Sequence, residues 1–343
     1  MHMQSPILSL IFDVGGTSIR TGLYDHEWRC LERYRKTNAP NFLNATARAG
    51  ENLLDELLAL LKCEAAALTR DAFVARVCVA LPSPIAPDGT AWRLPTLLGG
   101  EDPRSVHLQQ RLEAMWPDAQ VVLTNDVTAA GYFHVAQGSR DFAVVSVGSG
   151  VGLKVFLDGK PRTGPHGRGG EIGHMRVESR AIGDIVCDCG QRGHLGAFAS
   201  GRGALRLARH AAATDPDGFA ASLAGRLVRE REGRLDNDIL VAAFRDNDAW
   251  TRQVVTASAS YLAQAVAFLH QAIGLEDIVL TGGFAHACGE RYRELVVRLA
   301  GPCCWDTGQD WNAIVRMGGD PDTEALEGAG YLLASRDRRE RHD

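Results

Sequence analysis

The chain has 343 residues, 45% hydrophobic and 23% charged, enough for two globular domains that each bury a core. A formal net charge of −5, with scattered arginines, excludes the basic stripe of a nucleic-acid binder. No apolar run reaches the roughly 18 residues of a membrane span, and the polar start lacks a secretory signal, so neither membrane nor export is expected. Eight cysteines, mostly isolated, suit a reducing cytoplasm better than a disulfide framework.

Residues 7–14 (ILSLIFDV) read as a buried strand, followed by a Gly15-Gly16 turn and a second strand over 18–24. Apolar residues at helical spacing run from Asn44 to Thr69, with Leu53, Leu54, Leu57, Leu58 and Leu61 on one stripe. A strand follows over 74–81, then a helix around 104–115 and a strand over 120–124 that leads into Asn125-Asp126 and a helix from Val127 to Gln137. A second round begins with a strand over 141–147, the turn Gly148-Ser149-Gly150 and a strand over 151–157. The glycine-rich stretch 164–203 lacks apolar periodicity and reads as a long loop held by something other than a core. A long helix over 251–273, a strand over 277–281 before Gly282-Gly283, and helical patterns over 289–300 and 323–335 complete the chain. Strand-turn-strand units followed by strand-helix alternation, occurring twice, predict two related α/β domains with a cleft between them.

Three turns and one carboxylate carry the chemistry. In Asp13-Val14-Gly15-Gly16-Thr17, glycines of positive φ would let successive N–H groups point at phosphate oxygens, while Asp13 could hold a metal ion through water. The same dipeptide also makes an ordinary hairpin. Gly148-Ser149-Gly150 repeats the form, and Gly282-Gly283 stands between a strand and a helix, where a nucleotide finds close backbone approach. Asp126, where a strand gives way to a helix, is either an N-cap or a general base that takes the proton of a substrate hydroxyl. His174, Cys187, Cys189 and His194 are either solvated side chains or the closed tetrahedral set of a structural zinc ion, whose binding would order the glycine-rich stretch.

The order and spacing of these turns resembles the sugar kinase, actin and Hsp70 superfamily, and the stretch 169–201 is similar to the ROK family of sugar kinases and sugar-responsive repressors. The resemblance implies two ribonuclease H-like (actin-like) domains with an interdomain active-site cleft. Residues 1–123, completed by the C-terminal helix 323–343, would form the smaller domain, and 124–322 the larger one with the zinc loop. It implies ATP and Mg²⁺ held by Asp13, Gly15, Gly16, Thr17, Gly148, Ser149, Gly150, Gly282 and Gly283, with structural Zn²⁺ on His174, Cys187, Cys189 and His194. Asp126 would be the catalytic base, and Thr96, Asn125, Asp126, Glu171 and His174 would bind the acceptor, a small-molecule polyol. His174 would serve metal and acceptor through different nitrogens. A cytoplasmic homodimer is also implied. A sensing repressor of this family carries a DNA-binding segment ahead of the first strand, where only about six residues stand here, so an enzyme is expected.

The pattern breaks at three places, the mildest being Thr96, which stands where asparagine is common but keeps a hydroxyl. His194 stands where a third cysteine is usual, and Gly196 where ROK sugar kinases carry a glutamate that contacts hydroxyls at the anomeric end of a hexose. Buried hydroxyls without a partner cost roughly 1–3 kcal/mol each. A pocket lacking that carboxylate is expected to take a non-standard acceptor such as a C7-cyclitol, ahead of glucose or an N-acetyl-hexosamine.

Overall fold

The structure is a computed structural model that describes residues 8–25, 35–43, 50–70, 72–100, 105–178, 183 and 185–340. Strand β1 (Leu8–Val14) is buried at every position because it runs through the middle of a sheet with a layer on each face. β2 (Ser18–Tyr24) returns beside it in antiparallel sense, and β3 (Arg35–Asn38) adds an antiparallel edge. Helix α1 (Gly50–Thr69) then leads to β4 (Val74–Leu81), parallel to β1. A small pair, β5 (Thr90–Ala91) and β6 (Val106–His107), encloses helix α2 (Pro95–Leu98). After α3 (Leu108–Met115), β7 (Gln120–Asn125) joins parallel to β4 and runs directly into α4 (Asp126–Ala136). The strand order is β3-β2-β1-β4-β7.

The second sheet repeats the scheme. β8 (Phe142–Val147), β9 (Val151–Leu157) and β10 (Lys160–Pro161) are followed, after the glycine-rich stretch, by α5 (Leu195–Ala199), α6 (Gly201–Thr214), α7 (Pro216–Ala221), α8 (Leu223–Glu230), α9 (Asn237–Arg245) and α10 (Ala249–Ile273). β11 (Ile278–Thr281), α11 (Gly283–Cys288), α12 (Glu290–Ala300), α13 (Trp311–Ile314) and β12 (Val315–Met317) then precede the last helix, α14 (Glu324–Glu340). The order β10-β9-β8-β11-β12 places third, second, first, fourth and fifth strands side by side, as in the first sheet.

The chain divides into two compact units. One comprises Met1–Arg140, Phe156–Gly170 and Gly319–Asp343; the other comprises Asp141–Val155 and Glu171–Gly318. The boundary therefore differs from 123/124: α4 stands in the first unit, as does the segment around β10. The stretch read as loop over 164–203 contains α5 and the start of α6. Their sequence, LGAFASGRGALR, is too rich in small residues to show a helical stripe, and Ser200 caps α6 by accepting from the Gly203 N–H at 3.0 Å. The helical pattern beginning at Asn44 is seen from Gly50; residues 44–49 lie outside the described part. No described helix is long and apolar enough to cross a membrane.

Alternation along β1 sends side chains to two cores. Leu10 and Phe12 join Leu54, Leu57, Leu58 and Leu61 of α1, while Ile11 joins Ala129 of α4 and Leu326, Ala329, Leu332 and Leu333 of α14. The helices α4 and α14 cross with almost no gap. A Cβ on Gly328 would stand 1.9 Å from the Ala129 carbonyl oxygen, so only glycine fits. Beside this crossing, His134 Nε2 and Glu324 Oε1 are 2.7 Å apart and almost wholly buried, and the same carboxylate oxygen accepts from the Gly319 N–H at 2.9 Å. Glu324→Ala removes the carboxylate that meets buried His134 and the partly buried Gly319 N–H, and is expected to destabilise the protein by about 2–5 kcal/mol in chemical denaturation. Gly328→Val should be at least as damaging, through overlap of the two backbones.

Candidate active site

The strand-to-helix junction at β7–α4 is built by Asn125. Its backbone is still extended (φ −78°, ψ 144°), and its Oδ1 accepts from the Thr128 N–H at 3.0 Å and from Thr128 Oγ1 at 3.3 Å. Its Nδ2 donates to the Ser83 carbonyl at 3.3 Å and to Asp126 Oδ1 at 2.9 Å. An asparagine side chain has two acceptor sites and two N–H donors, so this one is fully engaged within the protein. Of the two readings open for Asp126, capping falls to its neighbour: Asn125 is the cap and Asp126 is the first residue of the helix. Asp126 is half-buried, and its Oδ1 also accepts from the Val127 N–H at 2.8 Å. Two donors on one carboxylate oxygen fix its orientation at the start of the helix.

In the first turn, Asp13 is buried and Arg20 Nη1 donates to its Oδ2 at 3.0 Å. Burial raises the Asp13 pKa while Arg20 works against that rise. Gly15 N–H donates to the Ser18 carbonyl at 2.8 Å, and a Cβ on Gly15 would lie 3.2 Å from that oxygen. The expected positive φ is absent at Gly15, Gly148 and Gly283. Position 15 is tight for a side chain, whereas Gly282 alone among these four has a left-handed φ of 92°, with Val147 N 2.7 Å from where a Cβ would stand. Thr17 is exposed beside Gly16.

The second and third turns adjoin within the second unit. Gly148 N–H donates to the Gly150 carbonyl at 3.0 Å, enclosing Ser149, and a Cβ on Gly148 would lie 3.9 Å from Gly283 N. The Gly201 N–H, at the start of α6, donates to the Gly148 carbonyl at 2.8 Å.

Glu171 opens a 3-10 turn over Ile172–His174 that lies directly on β9, since a Cβ on Gly173 would overlap the Val151 carbonyl oxygen at 2.1 Å. Burial raises the Glu171 pKa, and Lys154 of β9 opposes the rise. Lys154 is 1% exposed, one of only four lysines in the chain, and sequence reasoning passed over it. The signal was a lone cation inside the apolar strand VGLKVFL. Thr96 sits half-buried in α2, in the first unit.

His174, Cys187, Cys189 and His194 come together with all ligand atoms within 4.8 Å of one another. The Nδ1 atoms of the histidines are 3.3 Å apart, Cys189 Sγ is 3.2 Å from His194 Nδ1, and Cys187 Sγ is 3.8 Å from His174 Nδ1. A tetrahedron with nitrogen at about 2.0–2.1 Å and sulfur at about 2.3 Å from its centre has edges of about 3.3–3.8 Å, so the donor set fits a zinc ion. Burial and the facing His194 lower the His174 pKa, and burial with Arg176 lowers that of His194, which keeps both rings in the metal-binding neutral form. Burial lifts the Cys187 thiol to about 12. Asp188, between the two cysteines, is held by Arg202 at 2.6 Å and Arg206 at 2.7 Å, which fastens the loop to α6. Two residues after His194, a Cβ on Gly196 would stand 3.1 Å from the Gly173 carbonyl oxygen.

A model of the ROK family matches residues 10–335. A C(7)-cyclitol 7-kinase of Streptomyces hygroscopicus subsp. jinggangensis is 36% identical over 343 residues, covering 97% of this chain and 95% of that protein. A 2-epi-5-epi-valiolone 7-kinase of Actinoplanes sp. is 34% identical over 202 residues, 54% of each chain. Among solved structures, a ROK family glucokinase from Streptomyces griseus in complex with glucose and AMPPNP overlays with a TM-score of 0.73, covering 95% of this chain and 98% of that one at 23% identity. The overlay shows a shared fold, the actin-like α/β architecture expected from the sequence.

Proposed function

The chain belongs to the ROK family, and we propose that it is an ATP-dependent kinase that phosphorylates a hydroxyl of a C7-cyclitol. The observation that carries the chemistry is the junction at β7–α4, where Asn125 closes the helix end and leaves Asp126 oriented by two donors. In this reading Asp126 accepts the proton of the acceptor hydroxyl as its oxygen forms a bond to the terminal phosphorus of ATP. The bond from that phosphorus to the bridging oxygen breaks, and ADP leaves with the electron pair. Asn125 orients Asp126, and Glu171, His174 and Thr96 bind the acceptor. Gly15, Gly16, Thr17, Gly148, Ser149, Gly150, Gly282 and Gly283 hold the nucleotide, with Asp13 directed at its Mg²⁺. Zinc on His174, Cys187, Cys189 and His194 supplies folding energy to the acceptor loop and takes no part in phosphoryl transfer. A reducing cytoplasm suits that site, and the seven described cysteines are all unpaired.

Two features support a cyclitol over a hexose. The end-to-end relative acts on a C(7)-cyclitol by name. In addition, position 196 offers no carboxylate to meet the anomeric hydroxyls of a hexose, and a Cβ there would stand 3.1 Å from the Gly173 carbonyl oxygen, tight enough that this carbonyl would have to shift slightly to admit a side chain.

Asp126→Ala is expected to lose at least about a hundredfold in kcat while still binding ATP, and near-normal turnover would reject the base assignment. In a screen of hexoses and C7-cyclitols with ATP, the cyclitols should be turned over preferentially. Efficient glucose phosphorylation at micromolar KM would overturn the acceptor class. Elemental analysis should find about one zinc per chain at pH 7, and none in His194→Ala. Both imidazole pKa values are lowered, so neither histidine is lost to protonation at neutral pH, and zinc content should hold at pH 7 and fall on acidification as protons return to the ligands.

A further inference from the structure

Across the first sheet, register aligns three charged residues in one row. Asp13 on β1 is the direct partner of Arg20 on β2, and Arg20 is the direct partner of Lys36 on β3. The segment leading into α14 places Asp322 over this row. Arg20 Nε donates to Asp322 Oδ1 at 2.7 Å, and Lys36 Nζ donates to the same oxygen at 2.7 Å. The result is an alternating chain, Lys36–Asp322–Arg20–Asp13, whose formal charges cancel. Exposure falls along it, with side chains 46%, 26%, 13% and 9% accessible. Arg20 also lies against the first glycine turn, its Nη1 3.9 Å from where a Cβ on Gly15 would stand. Burial opposes charge on Asp322, yet Lys36 and Arg20 together bring its pKa down to about 2, so its negative charge is permanent at neutral pH.

We infer that Arg20 and Asp322 are positioning residues that hold Asp13 ready for the nucleotide's metal and set how much Mg²⁺ nucleotide binding requires. The inference rests on the kinase reading of this turn. Arg20 divides its guanidinium between two carboxylates. Asp13 is thereby held in place inside the sheet by Arg20, which offsets part of the cost that burial imposes on its charge, but it is not gripped so tightly that a cation cannot compete for it. Asp322 acts as the counterweight: its charge draws Arg20 outward, and Lys36 in turn moderates Asp322. Removing the charge of Asp322 leaves a net positive cluster and commits Arg20 to Asp13 alone. Removing the charge of Lys36 has the opposite sign.

That opposition provides the test. Binding of a non-hydrolysable ATP analogue is measured by calorimetry at a series of Mg²⁺ concentrations for the wild type, Asp322→Asn and Lys36→Met. Asp322→Asn is expected to raise the half-saturating Mg²⁺ concentration by about 3–10-fold, with analogue affinity recovered at high Mg²⁺. Lys36→Met, on an exposed and screened side chain, is expected to lower it by about twofold or less. Thermal denaturation of each variant confirms that it is folded. Shifts of the same sign in both variants, or folded variants with an unchanged Mg²⁺ dependence, would overturn the inference. A wild-type protein that binds no analogue at any Mg²⁺ concentration refutes the kinase reading itself, and this inference with it.

Discussion

The crossing of α4 and α14 is the contact on which the geometry of Asp126, the carboxylate proposed as the base, depends. A helix can aim its first side chain only as well as its own axis is held, and Asp126 is the first residue of α4. The axis is held in three ways. Gly328 lets the two backbones touch at Ala129, the buried His134–Glu324 pair fixes rotation near the far end, and apolar residues of both helices fill the space beneath β1. Losing one partner of such a buried pair is costly because the other is left uncompensated, so the pair holds the two helices in one arrangement. Given this support, Asn125 needs only to finish the helix end and steady its neighbour.

The second organising constraint is that charges inside the protein come with partners. Asp13 faces Arg20, Glu171 is influenced by Lys154, Asp188 is clamped by two arginines, and the four candidate metal ligands face one another. Each of these sits on a segment assigned a role in binding nucleotide, acceptor or metal. An interior that dense in ionisable groups would be hard to explain as packing alone, because burying a charge is costly even when it is paired. The disposition fits a protein that must receive a polyanion, a polyol and metal ions.

How much of this could be read from the sequence depended on whether the signal was local. Buried strands ended by glycine turns, such as 8–14 and 142–147, stand out because an apolar run and its breaker are adjacent in the chain. The clustering of the four candidate metal ligands was legible for the same reason, all four residues falling between positions 174 and 194. Helices α5 and α6 were hidden by their small residues, which satisfy packing without leaving a stripe. The division of labour between Asn125 and Asp126 could not be decided, since either side chain can cap a helix and only hydrogen-bond geometry separates them. Arg20 and Asp322, 302 positions apart, meet only after folding, and no spacing rule reaches that far.

The return of α14 to the first unit has a consequence for biogenesis. Half of the layer that covers β1 and β4, from Leu326 to Leu333, is translated some three hundred residues after β1 itself. Vectorial synthesis ordinarily lets the earlier domain fold first. Here the long contiguous part of the second unit, Glu171–Gly318, emerges entire while the first sheet still waits for its missing helix. Ile11, Cys78 and Val122 therefore stay without their α14 partners until late in translation, and a ribosome stalled before residue 326 would present an apolar sheet face to the chaperones of the cell.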